Sequence, residues 1–455
     1  MTQTVKQKRL VVLGGGESGV GAAILAKVKG MDVFLSDMGK IAPRYADMLR
    51  EHDIPFEQGT HTPQLILNAD EVVKSPGIPP TAPMVQALAE RNIPIISEIE
   101  FAGRYTDAKM VCITGSNGKT TTTLLTYHIL KKAGINVGLA GNVGRSLALQ
   151  VAFERHDVYV IELSSFQLEN MYEFKANIAV LMNITPDHLD RYEYKMQNYV
   201  RAKFRIINNL TAQDAIIYWQ DDPVITSQLR AISTEARLFP FSEHSEGDNT
   251  AAYVDDEGEI VFNTPVESLN MPRADLALNG LHNLFNSMAA GLSACLLDIK
   301  KEDIRNALSD FEGVEHRLEP AGTIDGVRWI NDSKATNVNS CWYALESMPK
   351  AKTTVLILGG KDKGNDYTEI EHLVDEKVKA IVAMGLHNEK IIEFFGDKVK
   401  VVDTHSLDEA VAACYSLASE GDTVLLSPCC ASFDLFKSYE DRGRQFKDAV
   451  KKLMK

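Results

Sequence analysis

Three observations predict an α/β protein of three domains in series. Short apolar, β-rich runs alternate with helical stretches from one end of the 455 residues to the other, the pattern of parallel sheets covered by helices. Length agrees, since at about 150 residues per domain such a chain divides into about three. Glycine-rich loops follow the opening strands of the first two blocks, where doubly wound sheets turn into their first helix. No short-period repeat and no low-complexity linker interrupts the series.

The first block, residues 1–107, opens with the strand Arg9–Leu13, turns through glycines and continues as a helix near Val20–Lys29. Strands follow at Asp32–Ser36 and Glu71–Lys74, the second running into Ser75-Pro-Gly-Ile-Pro-Pro80. After Ile93-Pro-Ile-Ile96 the block ends around Phe101–Asp107. The second block, residues 108–313, repeats strand, glycine loop and helix from Met110–Thr114, with further strands at Val158–Glu162, Ile178–Met182 and Ala215–Trp219. Residues 240–275 are polar and turn-rich, and read as a small antiparallel insertion. Asn279-Gly-Leu-His-Asn283 then opens a helix of small residues over Ser287–Leu297. The third block, residues 314–455, carries strands near Val327–Ile330, Thr354–Leu358, Ala380–Met384, Val399–Val402 and Thr423–Leu426.

Composition narrows the class. Hydrophobic residues make up 45% and charged residues 24%, an ordinary globular balance that excludes a disordered or collagen-like chain. The 62 acidic residues exceed the 48 Lys and Arg, and the net charge of −14 repels phosphate backbones, so nucleic acid is not expected as a partner. A local basic pocket for a small anion is compatible with that charge. No apolar run approaches the ~18 residues that span a bilayer, and the start reads as a strand rather than a signal peptide. The six cysteines (112, 295, 341, 414, 429 and 430) lack CxxC spacing, which fits a reduced cytoplasmic protein with cysteine in its core.

Thr114-Gly-Ser-Asn-Gly-Lys-Thr-Thr-Thr122 is the strongest local signal. In such a loop backbone N–H groups face phosphate, the helix N-terminus adds positive potential, Lys119 supplies a cation and Thr120 can ligate Mg²⁺. The strict pattern has Ile113 at its first glycine position, yet the strand–loop–helix setting reads as an ATP-binding loop rather than a plain turn. The first block carries Gly14-Gly-Gly16-Glu-Ser-Gly19, with Asp37 18 residues further on at the end of the next strand. This is a dinucleotide-type fingerprint that leaves NAD and a UDP-sugar both open. Beyond the ATP loop, Glu162-Leu-Ser-Ser-Phe-Gln167, Asp187-His-Leu-Asp190 and Lys203 follow closely on strands. Carboxylate and neutral imidazole there suit phosphate-bound Mg²⁺ or Mn²⁺.

Taken together, Gly115-Ser-Asn-Gly-Lys-Thr120, Glu162-Leu-Ser-Ser-Phe-Gln-Leu168, Asp187-His-Leu-Asp190, Gly280-Leu-His-Asn283, His316-Arg317 and Asn331-Asp-Ser-Lys-Ala-Thr336 resemble the Mur ligase family. Its members are ATP-dependent amide ligases that build the peptide stem of peptidoglycan. The motifs run from about residue 14 to 445. Gly16-Glu-Ser-Gly19, Ser75-Pro-Gly77, Asp332-Ser-Lys-Ala-Thr336 and Ser427-Pro-Cys-Cys-Ala-Ser-Phe-Asp434 look most like the branch that adds D-glutamate to UDP-N-acetylmuramoyl-L-alanine.

The resemblance implies a Rossmann-like UDP-substrate domain over 1–107, a central P-loop ATPase-like domain over 108–313 and a Rossmann-like amino-acid-binding domain over 314–455. It implies a cytoplasmic monomer using ATP and two Mg²⁺ or Mn²⁺ ions, with an acyl phosphate formed and then attacked by an amine. By motif, Gly115, Ser116, Asn117, Gly118, Lys119, Thr120 and Thr121 would hold ATP, joined by Asn283, Asn286, Arg317 and Asp332. Lys119, Glu162, His188 and Lys203 would carry the catalysis. Thr120, Glu162, His188 and Lys203 would ligate metal, Lys203 as a carbamate. Glu17, Ser18, Gly19, Asp37, Ser75, Pro76 and Gly77 would hold the UDP moiety, with Asn142, Gln167 and His188 facing the rest of that substrate. Lys334, Thr336, Lys363, Ser432 and Tyr439 would take the amino acid. Two positions depart from the family's habit. Gly-Gly-Lys361-Asp362-Lys363 replaces Gly-Gly-Asp-x-Lys, and Ser438-Tyr439 stands where Asn-Phe is common.

Other readings account for less. An NAD-dependent oxidoreductase would use only Gly14–Gly19 and Asp37, and a non-catalytic nucleotide-binding module would not need Glu162, His188 and Lys203. Diaminopimelate-adding members carry Asp-Asn-Pro-Arg, which is missing here, and folylpolyglutamate synthetases lack the UDP-binding domain.

Overall fold

A computed structural model describes residues 7–245, 249–265, 268–278, 280–362 and 364–453. It divides into two compact units, one running to Asp275 and including Phe285–Ser309, the other formed by Leu276–Leu284 and the chain from Asp310. The division falls inside the helix Leu281–Cys295.

The first unit holds two sheets. One is parallel throughout, in the order Phe56–Gln58, Asp32–Asp37, Arg9–Leu13, Glu71–Lys74, Ile95–Ile96. Arg9–Leu13 therefore lies at the switch point, with crossovers leaving to both sides, and the crevice beyond its carboxyl end is where such sheets bind ligands. The helix after it runs Glu17–Val28, starting three residues before the expected Val20 because Gly16 already serves as its N-cap. Its residues from Gly19 to Ala26 are all buried. A helix apolar on every side is one covered on every side: it lies against its own sheet and against the helix Leu147–Phe153 of the second block.

The second sheet has nine strands, ordered Ser268–Pro272, Glu259–Asn263, Ala252–Val254, Arg237–Phe241, Ala215–Trp219, Ile178–Leu181, Lys109–Thr114, Val158–Glu162, Val137–Gly141. Its inner strands, such as Val158–Glu162, are buried along their whole length, as parallel strands covered on both faces must be. The polar stretch 240–275, of which 246–248 and 266–267 lie outside the described residues, does form antiparallel pairs. It is not a separate insertion, however. Phe241 pairs with Ala252 and the hairpin extends the main sheet at its edge. Alternating burial in Glu259–Asn263 and Ser268–Pro272, one face covered and one wet, is what made these strands look polar in sequence.

The second unit has one six-stranded sheet, ordered Glu319–Ile324, Val327–Asn331, Thr423–Cys429, Thr354–Gly359, Val378–Met384, Lys400–Thr404. All neighbours are parallel except the first pair. Glu319–Ile324 escaped the sequence reading because Pro320 and Gly322 suit only an edge or bulge, and the register does slip between them. The helix expected from Ser287 begins at Leu281. Among the described residues, all six cysteines are free and buried, and no helix is long and apolar enough to cross a membrane.

Candidate active site

Everything expected of the phosphate loop sits at the carboxyl end of Lys109–Thr114, flanked by Ile178–Leu181 and Val158–Glu162. Gly118 takes φ +81° and starts the helix Lys119–Lys132; a Cβ there would stand 2.5 Å from Asn286 Oδ1, so only glycine fits. Asn286 also accepts from Thr122 Oγ1 at 3.1 Å, which ties its helix to the first turn after the loop. Lys119 Nζ donates to the carbonyls of Gly115 and Ser116, both at 2.8 Å. Thr120 and Thr121 are buried in the first helical turn. The loop is braced by Asn183, which the sequence reading missed: its Oδ1 accepts from Asn117 N at 2.8 Å and its Nδ2 donates to Asn117 O at 3.1 Å. Its place two residues beyond Ile178–Leu181 was the available signal, since ligand sites gather at carboxyl ends.

Glu162 ends its strand 1% exposed. One carboxylate oxygen accepts from Asn142 Nδ2 at 2.7 Å, while Oε2 is buried without a hydrogen-bond partner. A buried, unsatisfied carboxylate oxygen is costly unless a cation completes it. Lys203, also 1% exposed, donates to Gly115 O at 2.7 Å and lies over the Tyr199 ring at 4.7 Å. Burial pushes its ammonium well below the usual lysine range and the charge of Lys119 adds to this, against the opposing pull of Asp187 and Glu162. His188, in a left-handed conformation, is 43% exposed with its imidazole 3.6 Å from Asp187. Thr120, Glu162 and His188 each carry the kind of oxygen or nitrogen donor that a divalent cation takes. A different trio, Glu315, His316 and Glu319, clusters tightly in the second unit, but Lys447 Nζ takes both carboxylates at 2.7 and 2.8 Å.

At the first sheet's switch point, Gly14 takes φ +101°, and a Cβ on it would collide with Ser75 Oγ. The glycine loop and the Ser75-Pro-Gly77 loop thus meet, stitched by Ser75 N to Leu13 O at 2.9 Å. Asp37 accepts from Gly15 N at 2.5 Å and Gly39 N at 2.6 Å, so its carboxylate shapes the loop. Glu17 accepts from Ser146 N at 3.2 Å, Ser18 is half-buried beside it, and Gly19 packs under Gly14. Gln167 closes a capping box with Ser164, which occupies its carbonyl oxygen.

In the second unit, buried Asp332 follows Val327–Asn331 and accepts from Leu318 N at 3.2 Å and Ser427 Oγ at 2.8 Å. Burial lifts its carboxyl to about 6, against the pull of Arg317. Arg317 Nε and His282 Nδ1 are both buried without hydrogen-bond partners, and burial beside Arg317 brings His282 down to about 3, a neutral imidazole. Asn283, next in the helix, is buried. Lys334 lies 5.5 Å over the Tyr439 ring, and Thr336 is half-buried nearby in sequence. Lys361 N donates to Ala431 O at 2.8 Å, which joins the Gly359-Gly360 loop to the segment carrying buried Ser432. Fully buried Arg442 donates to Ser333 O at 2.8 Å and Cys430 O at 3.2 Å, holding two of these loops together. Lys363 and Asn279 lie outside the described residues.

Three family models cover the chain in order: "Mur ligase MurD-like, N-terminal domain" over residues 8–97, "Mur ligase middle domain" over 113–294 and "Mur ligase, glutamate ligase domain" over 316–430. A UDP-N-acetylmuramoylalanine–D-glutamate ligase of Bacteroides fragilis is 65% identical, covering 98% of this chain and 100% of its own. The chain belongs to the Mur ligase family. A second such ligase, from Porphyromonas gingivalis, is 57% identical to this Mur ligase over 97% of it and 98% of the relative. Solved structures share the fold at low identity. A pseudomurein peptide ligase type C from Methanothermus fervidus matches with TM-score 0.62 and 20% identity, covering 98% of this Mur ligase and all of that chain. The UDP-N-acetylmuramate-alanine ligase MurC from Thermotoga maritima matches with TM-score 0.59 and 19% identity, covering 98% and 99%.

Proposed function

We propose that this Mur ligase joins D-glutamate to UDP-N-acetylmuramoyl-L-alanine at the expense of ATP, in peptidoglycan precursor synthesis. The observation that carries the reading is 65% identity along the full length to a ligase of that name, with the phosphate loop, Glu162 on the neighbouring strand and Lys203 bonded to the loop behind it. The domains are read as 1–107 for the UDP substrate, 108–313 for ATP and 314–455 for the amino acid, in a cytoplasmic monomer.

The loop amides and Lys119 hold the terminal phosphates of ATP. The substrate carboxylate attacks the γ-phosphorus, ADP leaves, and an acyl phosphate forms. The D-glutamate amine, having shed its proton, attacks the acyl carbon, and inorganic phosphate departs as the amide bond closes. Thr120, Glu162, His188 and a carbamylated Lys203 would hold two magnesium ions, which neutralise charge on the transferring phosphoryl group when bound. Asn283, Asn286, Arg317 and Asp332 are assigned to the nucleotide, and Lys334, Thr336, Lys363, Ser432 and Tyr439 to glutamate, whose two carboxylates need cations and hydroxyls at both ends. Exclusion of water protects the acyl phosphate from hydrolysis.

Phosphate release, measured with a panel of amino acids, should require UDP-N-acetylmuramoyl-L-alanine and D-glutamate together. Turnover with L-glutamate or diaminopimelate and none with D-glutamate would remove the assignment. Asp37→Ala should raise KM for the UDP substrate while sparing that for ATP, because its carboxylate accepts from Gly15 N and Gly39 N and so sets the glycine loop of the first sheet. Weakened ATP binding in that variant would refute the division of labour.

A further inference from the structure

The turn that carries His188 is backbone-strained. His188, Glu193 and Tyr194 have φ of 52°, 56° and 56°, a region that side-chain-bearing residues occupy only where their surroundings impose it. Between them lies Arg191. Its guanidinium lies 4.3 Å over the Phe166 ring, and Nη2 donates to Glu169 Oε2 at 3.2 Å, Pro76 O at 3.1 Å and Ile78 O at 3.3 Å. Phe166 and Glu169 belong to the segment just after Glu162, whereas Pro76 and Ile78 belong to the loop that follows the first sheet's strand Glu71–Lys74. The His188 ring packs edge-on against the same Phe166 at 5.2 Å, and Tyr192 stacks on it at 6.2 Å while donating to Glu169 Oε1 at 2.7 Å.

A second cation reaches the same loop. Lys74 is 3% exposed and donates to Ile78 O at 2.8 Å. Burial and the repulsion of Arg191 bring it down to about 8, with Glu169 pulling the other way. Two cations thus share the Ile78 carbonyl beside a loop assigned to an anionic substrate.

We propose that Arg191 is a positioning residue that couples the loop Ser75–Ile78 to the orientation of His188, through Phe166. The proposal rests on the reading of that loop and of His188 given above. A loop carbonyl that moves with the UDP substrate pulls directly on the guanidinium, and the guanidinium fixes the ring against which His188 rests. Lysine could not replace it, because a tetrahedral ammonium has no planar face to lay on the Phe166 ring while its donors serve the loop and Glu169.

Arg191→Met keeps an apolar stem on Phe166 and removes the guanidinium. Steady-state phosphate release should show KM for the UDP substrate raised and kcat lowered, each about tenfold, the scale of one charge-assisted hydrogen bond. KM for ATP and for D-glutamate should stay within about twofold, and the unfolding temperature should be close to wild type. Arg191→Lys should fail to restore kcat. Wild-type kinetics in Arg191→Met would overturn the coupling, as would a rise in all three KM values with a fall in unfolding temperature. Should Arg191→Met not fold, Glu169→Gln, which loosens Arg191 but leaves the Tyr192 partner in place, is expected to give the same pattern at smaller size. A silent Glu169→Gln would then overturn the proposal. Asp37→Ala separates the two levels: an unchanged KM for the UDP substrate there faults the site reading itself, whereas a raised one beside a silent Arg191→Met faults only the coupling.

Discussion

Replacing Lys203 with alanine is expected to remove nearly all turnover, and acetate is expected to restore part of it. Lys203 is buried at the phosphate loop, its Nζ 2.7 Å from Gly115 O and its charge set against that of Lys119. A protonated lysine there would repel the metal ions it is assigned to ligate, and an ammonium has no lone pair to offer them. The surroundings favour the neutral amine, which can add CO₂: a nitrogen–carbon bond forms, a proton leaves to solvent, and a +1 group becomes a −1 carbamate with two oxygen acceptors. Metal, bicarbonate and rising pH should each favour that form. Acetate can supply the lost carboxylate-like ligand in Lys203→Ala but should do nothing for wild type. Lys203→Arg should be as inactive as Lys203→Ala, because guanidinium keeps its charge and does not carbamylate under these conditions. Wild-type activity in Lys203→Arg would show an ordinary cation and end the carbamate reading.

Lys119→Ala should be nearly as damaging while the chain stays folded. The side chain is long enough to bond carbonyls of its own loop, Gly115 and Ser116, so its ammonium is held where the terminal phosphates of ATP are assigned. Loss of one such electrostatic contact to a transferring group typically costs about 10²–10³-fold in kcat. An intact unfolding temperature with kcat reduced on that scale is the expected result. A near-normal kcat would mean that the loop is only a turn.

Much of this was legible in the sequence because it depends on local pattern. Arg9–Leu13, Glu71–Lys74, Val158–Glu162 and Ala215–Trp219 stand where their apolar, β-branched runs put them, since a strand buried on both faces leaves little room for polar residues. The glycines at 14 and 118 also announce themselves, because their backbone angles admit almost nothing else. Edge strands were harder. Glu319–Ile324 and the hairpin Glu259–Asn263 with Ser268–Pro272 pair along one side or wet one face, so their composition is that of a loop.

The sequence by itself determined the α/β class, the places of many strands along the chain, the phosphate loop and, through its motifs, the family. Only the tertiary structure decided which side chains act together. Glu162 and Lys203 are 41 residues apart in the chain, and nothing local says that one keeps a buried oxygen without a hydrogen-bond partner while the other has its proton affinity lowered by burial. Asn183 as brace of the phosphate loop, Asp37 as shaper of the glycine loop and Arg191 as the link from Pro76 to Phe166 are likewise invisible in one dimension. Hydrogen bonding and desolvation act over a few ångströms of space, and the fold, not the spacing of residues along the chain, sets which groups come within that range.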